Sequence, residues 1–311
     1  MKIEAISIQS PFDQVKMYGT LYVEEKKAKK AFIVIFHGMS EHQLRYQEFA
    51  TKLTEAGYVV LTCDHRGHGI HGKVKGFFAE KDGWERNVQD LHLLIQKGRE
   101  NYSELPFYVF GHSMGSLFAR SYLKRYEEEI DGVLICGTPN NNRLTKIGNL
   151  TAKVISAIFG KQHRSKLLHN MSVQAFNKVV KNPKTDSDWI SVNEENVQNY
   201  LNDPESGFMF TAQGYVDLTT GIMDVYQDTS WVAKKKDIPI KFFSGEEDPC
   251  AGGEEGFQEA VSSLKERGYQ NVTFKRYPGL RHEILNESNK EEVMQDMIDY
   301  FDSISKNRVK K

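Results

Sequence analysis

The chain has 311 residues, 39% apolar and 27% charged, with 41 basic against 42 acidic side chains. A chain of this length buries roughly 75% of its unfolded surface without staples, and its balanced charge argues against nucleic-acid binding. Three widely spaced cysteines, Cys63, Cys136 and Cys250, without any CxxC pair, argue against a disulfide framework or a zinc knuckle and fit a reducing, cytoplasmic setting.

The N-terminus, MKIEAISIQSPFDQ, alternates apolar and polar residues as a strand does and lacks the continuous apolar core of a signal peptide. No run approaches the ~18 apolar residues of a membrane span. IEAISI and MYGTLYV, joined by a short loop, are expected to pair antiparallel at a sheet edge. The EEKKAKK cluster reads as an exposed turn. FIVIFHG, VVLTCDH, FYVFGH and GVLICG follow as strands, separated by the helical patterns YQEFATKLTEAG, WERNVQDLHLLIQKG and SLFARSYLKRYEEE. Later come IKFFSG, FQEAVSSLKERG, VTFKRY and EEVMQDMIDYFDSI, and the KNRVKK tail reads as a solvated end. Most of the later strands are continuous apolar runs ended by glycine, the pattern of strands buried on both faces of a parallel sheet. Their alternation with helices predicts a doubly wound α/β sheet.

Residues 140–239 break this rhythm. They hold no convincing strand and several helical pieces, and they are too long for a loop in a compact domain. They are expected to form a helical cap inserted into a catalytic domain made of 1–139 and 240–311. The charge of this segment is sorted: Arg143, Lys146, Lys153, Lys161, Arg164, Lys166, Lys178, Lys181 and Lys184 occur with no acid among them, and nine acids then run from Asp186 to Asp228 with no Lys or Arg. The plain reading is that the halves pair with each other or are solvated. A sharper one concerns LTKIGNLTAKVISAIFG, where Leu144, Ile147, Leu150, Val154 and Ile158 repeat at three and four residues beside Lys146 and Lys153. Such a stripe suits transient contact with an anionic membrane surface.

The chemistry centres on Gly111-His112-Ser113-Met114-Gly115. A serine hydroxyl is a poor nucleophile until a base takes its proton and the chain presents it to solvent. A strand turning sharply into a helix presents it but crowds the residues two before and two after, and glycines remove that crowding. This GxSxG stretch lies between a predicted strand and a predicted helix, the context that gives the pattern its force. On this architecture an acid and then a histidine follow in the chain. Asp248, in the loop after IKFFSG and fixed by Pro249, is the candidate acid, with Glu246 and Glu247 as solvated competitors. His282, after VTFKRY, is the only histidine downstream. The oxyanion donors are expected to be the backbone N–H groups of Met114 and of Met39, where Gly38 allows close approach.

The other histidines read as structural. His112 is expected to pack under the elbow, and His92, His163 and His169 to be surface or packing residues. The spacing of His65, His68 and His71 hints at a metal, but the glycines around them mark a loop and no carboxylate or cysteine cluster accompanies them. No metal and no cofactor is assigned.

Taken together, HGMSEHQLRY (37–46), CDHRGHGIHG (63–72), GHSMGS (111–116), SGEEDP (244–249) and PGLRHEILNE (278–287) resemble the α/β-hydrolase superfamily. Within it they resemble the monoacylglycerol lipase and lysophospholipase branch, filed with the serine aminopeptidase-like hydrolases. The resemblance implies an eight-stranded, mostly parallel sheet flanked by helices, an inserted helical cap, a Ser113-Asp248-His282 triad, Met39 and Met114 as oxyanion donors, and no cofactor. His71 departs from the family, which usually has serine there. The expected activity is carboxylic ester hydrolysis through an acyl-serine, on a monoacylglycerol or lysophospholipid, with LTAKVISAIF, MSVQAFNKVV and GFMF as candidate acyl-channel linings. Two rivals stand beside it: an aminopeptidase of the same branch using the acids of 186–228 to hold a free amine, and a non-catalytic binding protein on the hydrolase fold.

Overall fold

A computed structural model describes residues 1–309. Lys310 and Lys311, at the end of the expected solvated tail, lie outside the described residues. The eight predicted strands are present: β1 (Lys2–Gln9), β2 (Lys16–Val23), β3 (Phe32–Phe36), β4 (Val59–Cys63), β5 (Phe107–His112), β6 (Gly132–Cys136), β7 (Ile240–Gly245) and β8 (Val272–Tyr277). They form one sheet in the order β1-β2-β4-β3-β5-β6-β7-β8. As expected from their short connection, β1 and β2 pair antiparallel, with Lys2 opposite Val23 and Gln9 opposite Lys16. β2 is also antiparallel to β4, so β2 alone runs against the rest, and every pairing from β4 to β8 is parallel.

The four central strands, β3 to β6, are buried at every position, which is why they lack polar alternation. Successive side chains point to opposite faces, and β3 shows the result. Phe32, Val34 and Phe36 join the core under α2 (Gly83–Arg99) and α3 (Met114–Tyr126), while Ile33 and Ile35 join the core under α1 (Gln47–Glu55) and α10 (Lys290–Val309). The sheet is thus covered on both faces, and α9 (Gly253–Glu266) completes the first layer through Phe257, Ala260 and Leu264. All three cysteines are free and buried.

Between β6 and β7 the chain forms α4 (Thr145–Phe159), α5 (Lys166–Met171), α6 (Val173–Asn177), α7 (Glu194–Asn202) and α8 (Ala212–Tyr226), with no strand. α4 lies along α8, and α8 rests on α2 and α3. The orientation of α4 is inverted relative to a core helix. Thr145, Asn149, Ala152 and Ser156 face inward, where Asn149 Nδ2 donates to Val216 O at 3.1 Å and to Thr219 Oγ1 at 2.8 Å. Leu144, Ile147, Leu150, Val154 and Ile158 face outward at 49–68% exposure. Among the described residues, no helix is long and apolar enough to cross a membrane.

The two charged halves of the insert hardly pair with each other, so of the two plain expectations pairing fails, while most of the basic half is exposed as the solvated alternative expects. Lys184–Glu194 joins them, but most of the paired acids bind cations of the sheet domain. Asp224 meets Lys124 at 2.6 Å and Arg125 at 2.8 Å, Asp228 meets Lys124 at 2.5 Å, and Glu205 meets Lys75. The acidic half lies against the body of the protein, so its partners are there. Arg143, Lys146, Lys153, Lys166, Lys178 and Lys181 form no ion pair among the described residues.

Candidate active site

At the end of β5 the chain turns through Ser113, whose φ of 54° and ψ of −121° are costly for a residue with a side chain. The turn is held from both sides. Ser113 N–H donates to the Cys136 carbonyl at 2.9 Å, and the Ser113 carbonyl accepts from Ser116 N–H at 2.9 Å and Ser116 Oγ at 2.6 Å. A Cβ on Gly111 would strike the Gly115 carbonyl, and one on Gly115 would strike the carbonyls of Phe36 and His37. That is the crowding the GxSxG spacing implied.

Asp248 and His282 arrive from the loops after β7 and β8. Asp248 Oδ1 accepts from Cys250 N–H at 2.9 Å, and Oδ2 accepts from His282 Nδ1 at 2.9 Å. Both side chains are buried, whereas Glu246 and Glu247 are exposed. Burial works against a charged His282, but the Asp248 carboxylate outweighs it and raises the imidazole above its ordinary value of 6.5. With Nδ1 committed to Asp248, Nε2 is the nitrogen left to take a proton. Ser113 is 8% exposed, so the site is covered. No hydrogen bond joins Ser113 Oγ to His282 among the described residues, a contact that often tightens only with substrate bound.

Gly38 brings the loop after β3 against the elbow, since a Cβ there would sit 3.1 Å from Ser113 Cβ. Met39 follows Gly38, and Met114 is the first residue of α3, so both expected donors flank the serine. Behind them the histidines act as braces. His37 Nδ1 donates to Gly38 O at 2.8 Å, its Nε2 accepts from His65 N–H at 3.1 Å, and His65 Nε2 donates to His37 O at 2.9 Å. Burial pushes His37 and His65 well below the ordinary imidazole range and His68 down to about 3, so all three stay neutral. His71 stacks on Tyr18 at 3.7 Å instead of joining them. His112 lies with its ring 4.6 Å from that of His282. His92 stacks on Tyr126 at 3.8 Å, His163 stacks on Phe159, and His169 pairs with the Tyr215 hydroxyl.

Asp248, Cys250 and His282 are close enough together to suggest metal ligands. Burial and Asp248 push the Cys250 thiol up, so no thiolate is on offer. The carboxylate and imidazole are already engaged with each other, and the residues fit an acid-base pair instead.

Sequence reasoning missed a buried clamp. Arg45 binds Glu283 with two parallel hydrogen bonds of 2.7 Å and Glu41 with one of 2.8 Å. Glu41 also accepts from Gly38 N–H and from Tyr46 Oη. Asn196 on α7 donates to Glu283 at 2.7 Å, and Tyr200 on α7 lies 5.1 Å under the guanidinium. Burial would raise the Glu283 carboxyl, but Arg45 overrides it and holds it at about 2. One guanidinium thus ties the Met39 loop, the His282 loop and the insert together. The insert also covers the site with aromatic rings: Trp189 lies 4.8 Å from His282, with Phe176 behind it at 5.0 Å. Phe208 packs on His68 at 5.2 Å, while Gly207 N–H donates to Ser40 O.

An eight-stranded, mostly parallel sheet with a strained serine elbow at the end of β5, and an acid and a histidine in later edge loops, defines an α/β-hydrolase fold. Residues 27–289 match the family described as serine aminopeptidase, S33, and the chain belongs to that family. A monoacylglycerol lipase of Mycolicibacterium smegmatis is 25% identical over 277 residues, 88% of each chain. Phospholipase YtpA of Bacillus subtilis is 23% identical over 85% of this chain and 92% of its own. Among solved structures, a thermostable carboxyl esterase from Bacillus coagulans in complex with glycerol superposes with a TM-score of 0.88 at 27% identity, covering 98% of this chain and 99% of its own. A Saccharomyces cerevisiae monoglyceride lipase, at 20% identity, 94% and 93% coverage and a TM-score of 0.74, shares the fold.

Proposed function

We propose that this protein is a serine hydrolase that cleaves carboxylic esters through an acyl-enzyme, with monoacylglycerols or lysophospholipids as substrates. The observation that carries the reading is the buried 2.9 Å bond from His282 Nδ1 to Asp248, set beside a serine in elbow geometry. Ester-hydrolysing relatives spanning most of this chain support the reaction class. In the proposed reaction His282 Nε2 takes the proton from Ser113 Oγ as the oxygen attacks the substrate carbonyl. Asp248 holds the imidazole and stabilises its charged form. The N–H groups of Met39 and Met114 bind the oxyanion. His282 then protonates the leaving alcohol, and a water deprotonated by His282 releases the acid from Ser113.

Residues 140–239 act in this reading as a cap on a catalytic domain formed by 1–139 and 240–311. Phe176, Trp189 and Phe208 suit the lining of an acyl site. The LTAKVISAIF stretch does not, because its apolar side faces outward. That side, flanked by cations without ion-pair partners, instead suits transient docking on an anionic lipid surface. The aminopeptidase alternative needs free acids in the cap. Asp203, Glu205, Asp224 and Asp228 are held by His42, Lys75, Lys124 and Arg125, which weakens it.

The test is hydrolysis of p-nitrophenyl esters from C2 to C16 and of monoacylglycerol by the wild type and Ser113→Ala. Medium- or long-chain turnover that vanishes in the mutant is the expected result. Turnover of amino-acyl naphthylamides alone would move the assignment to the aminopeptidase, and failure of a fluorophosphonate to label Ser113 would remove the acyl-enzyme.

A further inference from the structure

A groove of about 220 Å³ opens in the insert between residues 180–185, the turn Asp188–Ile190 and α7, and the reaction described above makes no use of it. It is smaller than the roughly 300–1,000 Å³ of sites for drug-sized ligands, so it suits a small occupant. The sheet domain contributes one side chain to its wall, Arg281, the residue before His282. Arg281 is partly buried, and its Nη1 donates to Asp188 O at 2.7 Å and to Ser191 O at 3.2 Å. Among the described residues, Nε and Nη2 make no hydrogen bond and no carboxylate pairs with the guanidinium. Those two nitrogens form one edge of a planar group, and their parallel N–H bonds match the two oxygens of a carboxylate.

The rest of the lining suits the same occupant. Lys181 is exposed and forms no ion pair among the described residues, while Lys184 pairs with Glu194. Asp188 also lines the groove, but its carboxylate already accepts from Lys184 N–H at 2.5 Å and from Thr185 Oγ1. Burial would raise the Asp188 carboxyl, but the bonds from Thr185 and Lys184 and the Arg281 charge hold it below its ordinary value. Three cations, Lys181, Lys184 and Arg281, against two anions, Asp188 and Glu194, leave the wall one positive charge in excess. Val180, Val192 and Val197 add an apolar strip.

We propose that this groove is a second binding site, separate from Ser113, for an alkyl carboxylate, whose head pairs with the free edge of Arg281 while its chain lies on Val180, Val192 and Val197. The class includes the fatty acid that ester hydrolysis releases, and that source rests on the reading above. The site reaches the chemistry through one side chain. Arg281 Nη1 holds the carbonyls on either side of Trp189 and Ile190, and the Trp189 ring lies 4.8 Å from His282. A bound carboxylate fixes Arg281 and so stiffens the cover over His282, which makes it a brake applied by accumulated product.

The experiment is calorimetric titration of the full chain after Ser113 has been blocked with a fluorophosphonate. The probes are octanoate, octanol, which keeps the chain without the charge, and acetate, which keeps the charge without the chain. Octanoate is expected to bind at one site, and octanol and acetate at least about tenfold more weakly. Arg281→Gln is expected to weaken octanoate about tenfold or more. Gln198→Glu, an isosteric change in the same wall that cancels its excess charge, is expected to weaken it about threefold or more, and it keeps the test open should Arg281→Gln not fold. In the unblocked protein, saturating octanoate is expected to lower kcat for p-nitrophenyl butyrate at least about twofold. No octanoate binding to the blocked protein, or binding that neither variant weakens, overturns the site. Octanol that binds as tightly as octanoate overturns the ion pair, acetate that does so overturns the apolar strip, and an unchanged kcat overturns the brake. Failure of the ester reading looks different: Ser113 then takes no fluorophosphonate and the wild type turns over no ester, while octanoate binding and its dependence on Arg281 and Gln198 are read by the same titration of Ser113→Ala.

Discussion

α3 and α4 are helices of similar length with apolar stripes, and they turn those stripes in opposite directions. α3 buries Leu117, Phe118, Tyr122 and Leu123 against the sheet and presents Ser113 at its start. α4 buries Asn149 and Ser156 and leaves Ile147, Leu150, Val154 and Ile158 in the open. Periodicity reveals a stripe, but the neighbour decides which side goes in. α3 meets an apolar sheet, whereas α4 meets the hydroxyls of Thr219 and Thr220 and the Val216 carbonyl.

The largest expected effect lies at the head of α3. Ser113→Ala or His282→Ala should lower ester kcat on the order of 10⁴-fold or more in a folded protein, and survival of activity in either would remove the chemical half of the contrast. Inside α3, Phe118→Ala should cost about 3–5 kcal/mol in chemical denaturation, because its ring stacks on Trp84 at 3.8 Å in a filled core. Arg45→Gln should cost about 3–5 kcal/mol as well, by leaving the Glu41 and Glu283 charges buried without their cation. The matching change on α4, Ile147→Ser with Val154→Ser and Ile158→Ser, should leave stability within about 0.5 kcal/mol per site and soluble-ester turnover unchanged. The same triple variant should lose co-sedimentation with anionic phospholipid vesicles. A large drop in its melting temperature would show that the stripe packs in solution and would collapse the comparison.

The smallest effect is a pH shift. His282 must be neutral to act as base, and its pKa is raised, so kcat/KM should rise with pH through a midpoint above 6.5. The nearby Glu283 charge contributes to that elevation, so Glu283→Gln should move the midpoint downward. An upward or absent shift would show that Glu283 does not sense the imidazole.

Much of the core was legible in the sequence for physical reasons. Strands buried on both faces have no solvent side to encode, so FIVIF, VVLTC and GVLIC stand out as unbroken apolar runs. The elbow was legible because its glycines stand at a fixed spacing around the serine in one short stretch, although only Gly111 is forced by a carbonyl of the turn itself, and Gly115 is forced by the Phe36 and His37 carbonyls at the end of β3. The clamp was not, because Arg45 and Glu283 lie 238 positions apart and each alone looks like an ordinary surface charge. Trp189 over His282 was hidden for the same reason, as it belongs to a segment without a strand to anchor its placement. The outward stripe of α4 was visible as periodicity, but its direction depended on the face α8 turns toward it.

The Arg45 clamp has a consequence for the rhythm of turnover. Tyr200 Oη donates to Ser40 O at 3.2 Å, and Asn196 donates to Glu283, so α7 is fastened to the loops on both sides of Ser113. In the proposed mechanism, a substrate admitted by lifting α7 would therefore unfasten the loops that carry Met39 and His282. In that mechanism, the arrangement that holds Met39 and His282 in place is therefore the one in which α7 is down on both loops.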